Sequence, residues 1–313
     1  MRSFHENSEG LAHKSRVWLR FSAVNICWIP ARASLALVFS GFAIAAPPVI
    51  DDEAVVTAMQ TKLEAAVGKE GIPSADELGK LAKSKKRSQP AIPLPTSASG
   101  TQAASYESLC KSVYLVGSLY KCGKCEHWHP GSTATAWCIG ADGLMVTNAH
   151  VFRGAFGGVM GVTDREGRCY PITALLGWDA STDVAVFRVD AKDLPTLPLG
   201  PAADVGSAVT VISHPSGNHF VRTSGSVSRY AKRPLGRKGD KVTWMAITAD
   251  YAQGSSGGPV FNDAGQVVGM VSNTLSLYTG TKAKAPNKGD LQMVIKHCVP
   301  ADSIRALFDD KAP

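Results

Sequence analysis

A chain of 313 residues with 44% apolar and 19% charged side chains has the composition of a folded globular protein, which excludes collagenous, coiled-coil and wholly disordered chains. Lysine and arginine exceed aspartate and glutamate by 33 to 26, a formal charge of +7. Much of that excess lies in Lys83-Ser84-Lys85-Lys86-Arg87 and between Arg229 and Lys241, outside the apolar runs, and reads as solvated surface with no nucleic-acid partner.

The first 45 residues read as an export signal. Arg16, Arg20 and Arg32 precede an apolar run from Leu35 to Ile44, and Ala43-Ile44-Ala45 offers a small-residue cleavage site. The run is too short to span a bilayer comfortably, so no stable membrane insertion is expected unless the segment is retained, and the product is expected in a periplasmic or extracellular space. Of seven cysteines, cleavage there removes Cys27 and leaves Cys110, Cys122, Cys125, Cys138, Cys169 and Cys298. In an oxidising compartment an even set predicts disulfides whose pairing the sequence does not choose.

Residues 46–87 carry two helical signals. Val55, Met59, Leu63 and Val67 recur four apart behind an acidic start, and Ser74-Ala75-Asp76-Glu77 is a capping box opening a shorter helix. Such short helices bury little alone, so this stretch is expected to be an appendage or pro-segment. Residues 88–105, rich in Pro, Ser, Thr and Ala, predict an extended linker.

From residue 106 to 313 the signals are those of an all-β domain. Short runs rich in valine, isoleucine and threonine, separated by glycine and asparagine turns, predict strands at Val113–Leu119, Thr135–Ile139, Leu144–Thr147, Val184–Val189, Ala208–Ile212, Thr243–Thr248 and Val267–Leu277. Their spacing suits two packed barrels better than a parallel α/β sheet. A crossover between barrels is expected near Leu194–Ala203.

Within this domain, Gly254-Ser255-Ser256-Gly257-Gly258-Pro259 holds a serine between glycines. Small neighbours leave Ser256 Oγ open to a carbonyl, and the N–H groups of Gly254 and Ser256 can point to one place as an oxyanion hole. A serine needs a base and the base an orienter. His150 follows the apolar run 144–147, and Asp183 opens the β-forming run 184–189. Asp179 competes with Asp183 but sits beside Trp178 in a turn, a poorer setting for a buried carboxylate.

On Thr147-Asn148-Ala149-His150, Asp183-Val184-Ala185-Val186, Gly254-Ser255-Ser256-Gly257-Gly258-Pro259 and the closing Val299-Pro300 before a helical Ala301–Leu307, residues 106–310 resemble the chymotrypsin-fold serine proteases, closest to the bacterial HtrA/Deg type. The resemblance implies two six-stranded β-barrels with the active site between them, His150 and Asp183 on the first and Ser256 on the second. It also implies an endopeptidase acting through an acyl-enzyme on protein or peptide substrates, with no cofactor and no metal. Ser255 stands where digestive zymogens carry an aspartate, so activation by a new N-terminus is not expected, and a C-terminal PDZ domain is expected to be lacking.

Two other readings are weighed. Gly254-Ser255-Ser256-Gly257-Gly258 also satisfies the G-x-S-x-G elbow of α/β-hydrolases, but only 57 residues follow Ser256, with His297 the sole histidine among them. A catalytically silent protease-fold binding or chaperone module is the alternative function. For substrate binding, Asp250 lies six residues before Ser256, the offset at which trypsin-like enzymes selective for basic P1 residues carry a buried acid. Ser272 and Thr274 are read as pocket wall, with Thr274 narrowing the entrance. His214 and His219 read as surface-turn histidines. In Cys122-Gly123-Lys124-Cys125-Glu126-His127-Trp128-His129 a structural disulfide is preferred over a tetrahedral zinc site. Oligomeric state is left open.

Overall fold

The computed structural model describes residues 49–95, 105–234, 240–279 and 289–309. The expected export signal and linker residues 96–104 lie outside these. Helix α1 (Asp52–Glu64) starts at Asp51, whose carboxylate accepts the Ala54 N–H at 2.9 Å, and α2 (Ala75–Ser84) has the expected reciprocal cap between Ser74 and Glu77. The short β1 (Arg87–Ser88) and α3 (Tyr106–Cys110) lead into the strands.

The first sheet contains β2 (Val113–Lys121), β3 (Trp128–Pro130), β4 (Ala134–Gly140), β5 (Leu144–Thr147), β6 (Met160–Thr163), β7 (Cys169–Asp179) and β8 (Val184–Val189), with α4 (Ala149–Arg153) after β5. Antiparallel pairings run β2 to β6, β7, β8, β5 and β4, then back to β2. Six strands thereby close on themselves, while β1 and β3 extend the edge. The second set is β9 (Ala208–Ser213), β10 (Val221–Pro234), β11 (Lys241–Ile247), β12 (Pro259–Phe261), β13 (Val267–Tyr278) and β14 (Leu291–Pro300), a closed barrel followed by α5 (Ala301–Phe308). The fold is the expected all-β pair of six-stranded barrels, and closure removes the exposed strand edges that open sheets must protect.

Each barrel has its own core. Phe152, Trp178 and Phe187 lie in the first, and Val211, Met245 and Val260 in the second. A third cluster joins the barrels, with Trp137, Ile139 and Leu144 from one side, Ile212, Trp244 and Phe261 from the other, and Ile304 and Leu307 of α5 as a plug. The crossing segment is tied to both, Leu197 N–H donating to Cys138 O at 2.9 Å and Gly200 N–H to Val267 O at 2.8 Å.

The N-terminal helices are more tightly integrated than an appendage. Val55, Met59 and Leu63 of α1 are buried against Leu115 and Leu119 of β2. The last two are fully enclosed and contribute roughly 2 kcal/mol apiece. Any Cβ on Gly117 or Gly161 would fall 2.3 Å from Met59 Sδ or 2.5 Å from Leu63 Cδ2, so these glycines form the socket. Residues 88–95 of the expected linker also dock, with Ile92 and Leu94 against the inter-barrel core. Among the described residues no helix is long and apolar enough to cross a membrane.

The disulfide expectation is not met, because all six described cysteines are free. Cys110, Cys138, Cys169 and Cys298 fall one to each of four separate hydrophobic clusters. Burial pushes the thiols of Cys110 and Cys169 up to about 11, as expected for inert core cysteines.

Candidate active site

The cleft between the barrels gathers His150, Asp183 and Ser256. Strand β5 ends at Thr147, and Asn148 has the extended backbone of an N-cap for α4, which carries His150 in its first turn. Asp183 precedes β8 in a left-handed conformation, φ 63°. An aspartate tolerates this better than a β-branched residue, and Asn148 Nδ2 holds the bend by donating to Asp183 O at 3.0 Å.

The Asp183 carboxylate is 1% exposed and compensated on every side. His150 Nδ1 lies 2.9 Å from Oδ2 and 3.1 Å from Oδ1, the His150 backbone N–H donates to Oδ1 at 3.0 Å, and Ser272 Oγ donates to Oδ2 at 2.6 Å. A carboxylate only accepts, so the pairing puts a proton on Nδ1 and leaves Nε2 as a base. Burial alone pulls the imidazole pKa down. The hydrogen bond that the ring donates to Asp183, and the charge of that carboxylate, outweigh that and raise it above the ordinary histidine value.

Ser256 is held from across the cleft. Thr135 of β4 donates its N–H to Ser256 O at 2.8 Å and its hydroxyl to Gly254 O at 3.0 Å, while Thr147 Oγ1 donates to Thr135 O at 2.7 Å. The approach is so close that a Cβ on Gly257, φ 86°, would sit 2.0 Å from Thr135 O and 2.2 Å from Thr147 Oγ1. Gly254 also has positive φ, 93°, with its Cα against the His214 carbonyl. Among the described residues the N–H groups of Gly254 and Ser256 have no protein acceptor. Ser256 Oγ donates to Ser272 O at 3.4 Å, and among the described residues no hydrogen bond joins it to His150.

Other expected site residues behave differently. Asp250 is not the base of a buried pocket: its side chain is 85% exposed and paired at 2.7 Å with Lys296 Nζ, which also stacks over Tyr251. Tyr251 takes the interior, its hydroxyl donating to Asn273 O at 2.9 Å or His297 O at 2.8 Å. Ser272 faces Asp183 through its side chain, and Thr274 is exposed opposite Lys296 in the β13–β14 ladder. His214 and His219 are not surface residues but 0% and 4% exposed, with rings 5.5 Å apart. His214 Nδ1 accepts the Phe220 N–H at 3.1 Å. Asp179 accepts the Ser181 N–H at 2.7 Å and serves the turn before Asp183. The sequence reading missed Thr135 and Thr147, although both are polar positions in apolar strands, which is itself a signal.

Two barrels with this site at their junction define a chymotrypsin-like, trypsin-like domain. Residues 134–270 match the family described as "Trypsin-like peptidase domain", and the chain is similar to proteases of the HtrA type. It is 41% identical over 146 residues to a "Probable periplasmic serine endoprotease DegP-like" of Halomonas elongata, covering 45% of this chain and 29% of that protein. It is 37% identical over 174 residues to "Serine protease HTRA2, mitochondrial" of Bos taurus, covering 50% and 34%. The chain thus matches only about a third of the length of these relatives. Among solved structures, "HtrA-type protease AlgW with decapeptide" superposes with a TM-score of 0.53 at 22% identity, over 66% of each chain, a likeness of fold.

Proposed function

We propose that the protein is a serine endopeptidase in which Ser256 is the nucleophile, His150 the general base and acid, and Asp183 the orienter. The observation that carries this is the buried Asp183 carboxylate on His150 Nδ1, with the motif-bearing Ser256 loop clamped opposite by Thr135. His150 Nε2 takes the Ser256 proton as Oγ attacks the scissile carbonyl. Asp183 stabilises the imidazolium, and the Gly254 and Ser256 N–H groups receive the oxyanion. The tetrahedral species collapses with loss of the amine, which takes the proton from Nε2. Water then repeats the sequence on the acyl-enzyme and releases the acid. The reaction requires the Ser256 side chain to turn from Ser272 O toward Nε2, a rotation about one single bond.

Substrates are protein or peptide chains. Lys296 already neutralises Asp250, so the Asp250 position supports no preference for arginine or lysine at P1. The relatives named periplasmic and the signal-like first 45 residues support an exported location, and residues 46–87 are assigned to a helical element that buttresses the first barrel. Peptide-library cleavage by wild type beside Ser256→Ala tests the proposal. Cleavage lost only in the variant supports a protease, and a wild type that binds peptides without cutting them supports the silent module instead.

A further inference from the structure

Away from the cleft, the loop joining β2 to β3 brings together Cys122, Cys125 and His129. Their ligand atoms, two Sγ and one imidazole nitrogen, all lie within 4.8 Å of one another. Cys122 Sγ is 3.4 Å from Cys125 Sγ, and Cys125 Sγ is 3.0 Å from His129 Nε2.

The backbone explains the convergence. Gly123 has φ 73°, which turns the chain so that two thiols three positions apart face the same side. The Lys124 N–H then points at Cys122 Sγ from 3.4 Å, an arrangement that favours a thiolate. His129 arrives from the opposite strand, where it pairs with Tyr120 in the ladder. The base of the hairpin is fixed independently of the loop: Gln60 of α1 donates to Trp128 O at 2.9 Å, and Trp128 packs against the α1 cluster.

We propose that Cys122, Cys125 and His129 form a binding site for a zinc-class divalent ion, with solvent completing the tetrahedron. At Zn–S of about 2.3 Å and Zn–N of about 2.0 Å, tetrahedral ligands stand about 3.8 Å (S to S) and about 3.5 Å (S to N) apart. The Cys122–Cys125 and Cys125–His129 separations differ from these by about half an ångström, which small side-chain rotations accommodate. Two thiolates and an imidazole are the donor set that soft or borderline cations prefer over magnesium and calcium. Each thiol gives up its proton to solvent on binding. The ion closes the hairpin that packs on α1, so it stabilises the contact between the N-terminal helix and the first barrel. This site is independent of the peptidase proposal and reads out separately from activity.

The test is made on the full chain, reduced and stripped of metal, by titrating cobalt(II) and then zinc under inert atmosphere. The expected result is one equivalent of cobalt with thiolate charge-transfer and tetrahedral ligand-field bands, displaced by zinc, with a higher Tm in the zinc form. Cys125→Ser and His129→Ala each weaken zinc binding at least about 100-fold, whereas His127→Ala leaves it unchanged. The proposal is overturned by absence of the thiolate band in fully reduced wild type. It is equally overturned by an unchanged band in Cys125→Ser, or by protein isolated in the presence of zinc that is metal-free with Cys122 joined to Cys125.

Discussion

Thr135→Val is the most informative substitution outside the proposed triad, because it removes one hydroxyl and preserves the shape of a strand residue. The lost hydrogen bond is the one to Gly254 O at 3.0 Å, made entirely within the protein, since Thr135 is 0% exposed. The Gly254 carbonyl, itself buried, is left without that donor, which costs about 1–3 kcal/mol. The Thr135 N–H to Ser256 O bond persists, so the loop is loosened and not released. Unfolding in denaturant should therefore show a midpoint shift of that size with an unchanged m-value. Because the contact positions the proposed nucleophile and touches no substrate, kcat should fall on the order of tenfold, a loss of about 1.4 kcal/mol, with KM nearly unchanged. Stability and kcat both equal to wild type would refute the view that the first barrel clamps the Ser256 loop.

Asp183→Asn should lower kcat by about 10⁴-fold, measured on a fluorogenic peptide, while Asp179→Asn, which keeps the turn-capping oxygen, should stay within about threefold. Asp250→Ala should leave the ratio of cleavage after arginine to cleavage after valine or alanine unchanged, because the acid is exposed and already paired. A collapse of that ratio would restore it as a specificity residue. His214 gives a pH signature: burial, reinforced by its His219 neighbour, lowers its pKa to about 3, so the folded protein holds it neutral while the unfolded chain protonates near 6.5. Its contribution to stability is complete above that value and is lost as pH falls. Between pH 6.5 and 5 the loss is about 2 kcal/mol, and His214→Gln should flatten that slope by the same amount in chemical unfolding.

The sequence carried the barrels and the candidate site unequally. Strands such as Leu144–Thr147 and Val184–Val189 were legible because buried residues run through the first without a break and through the second with only Arg188 partly exposed. Strand β10, whose burial alternates irregularly over 14 residues with glycine and proline inside it, had no such pattern. His150, Asp183 and Ser256 stood out because each adjoins a strand end or a glycine turn whose local chemistry demands it. The exposure of Asp250 was not legible, since it depends on Tyr251 taking the interior and on Lys296 arriving from β14. The burial of His214 and His219 likewise depends on long-range packing: the His219 N–H donates to Asp52 Oδ1 at 2.8 Å, a contact spanning most of the chain. Helical periodicity in α1 was plain, but its socket of glycines on β2 and β6 belongs to the tertiary structure alone.

Whether Ser256 is an activated nucleophile is tested most directly by labelling with a fluorophosphonate followed by peptide mass mapping. An activated Ser256 gives one adduct per chain on Ser256, none in Ser256→Ala, and labelling slowed by orders of magnitude in folded His150→Ala, where the proposed base is gone. Folded wild type that takes up no probe, or that carries it on another residue, would contradict it.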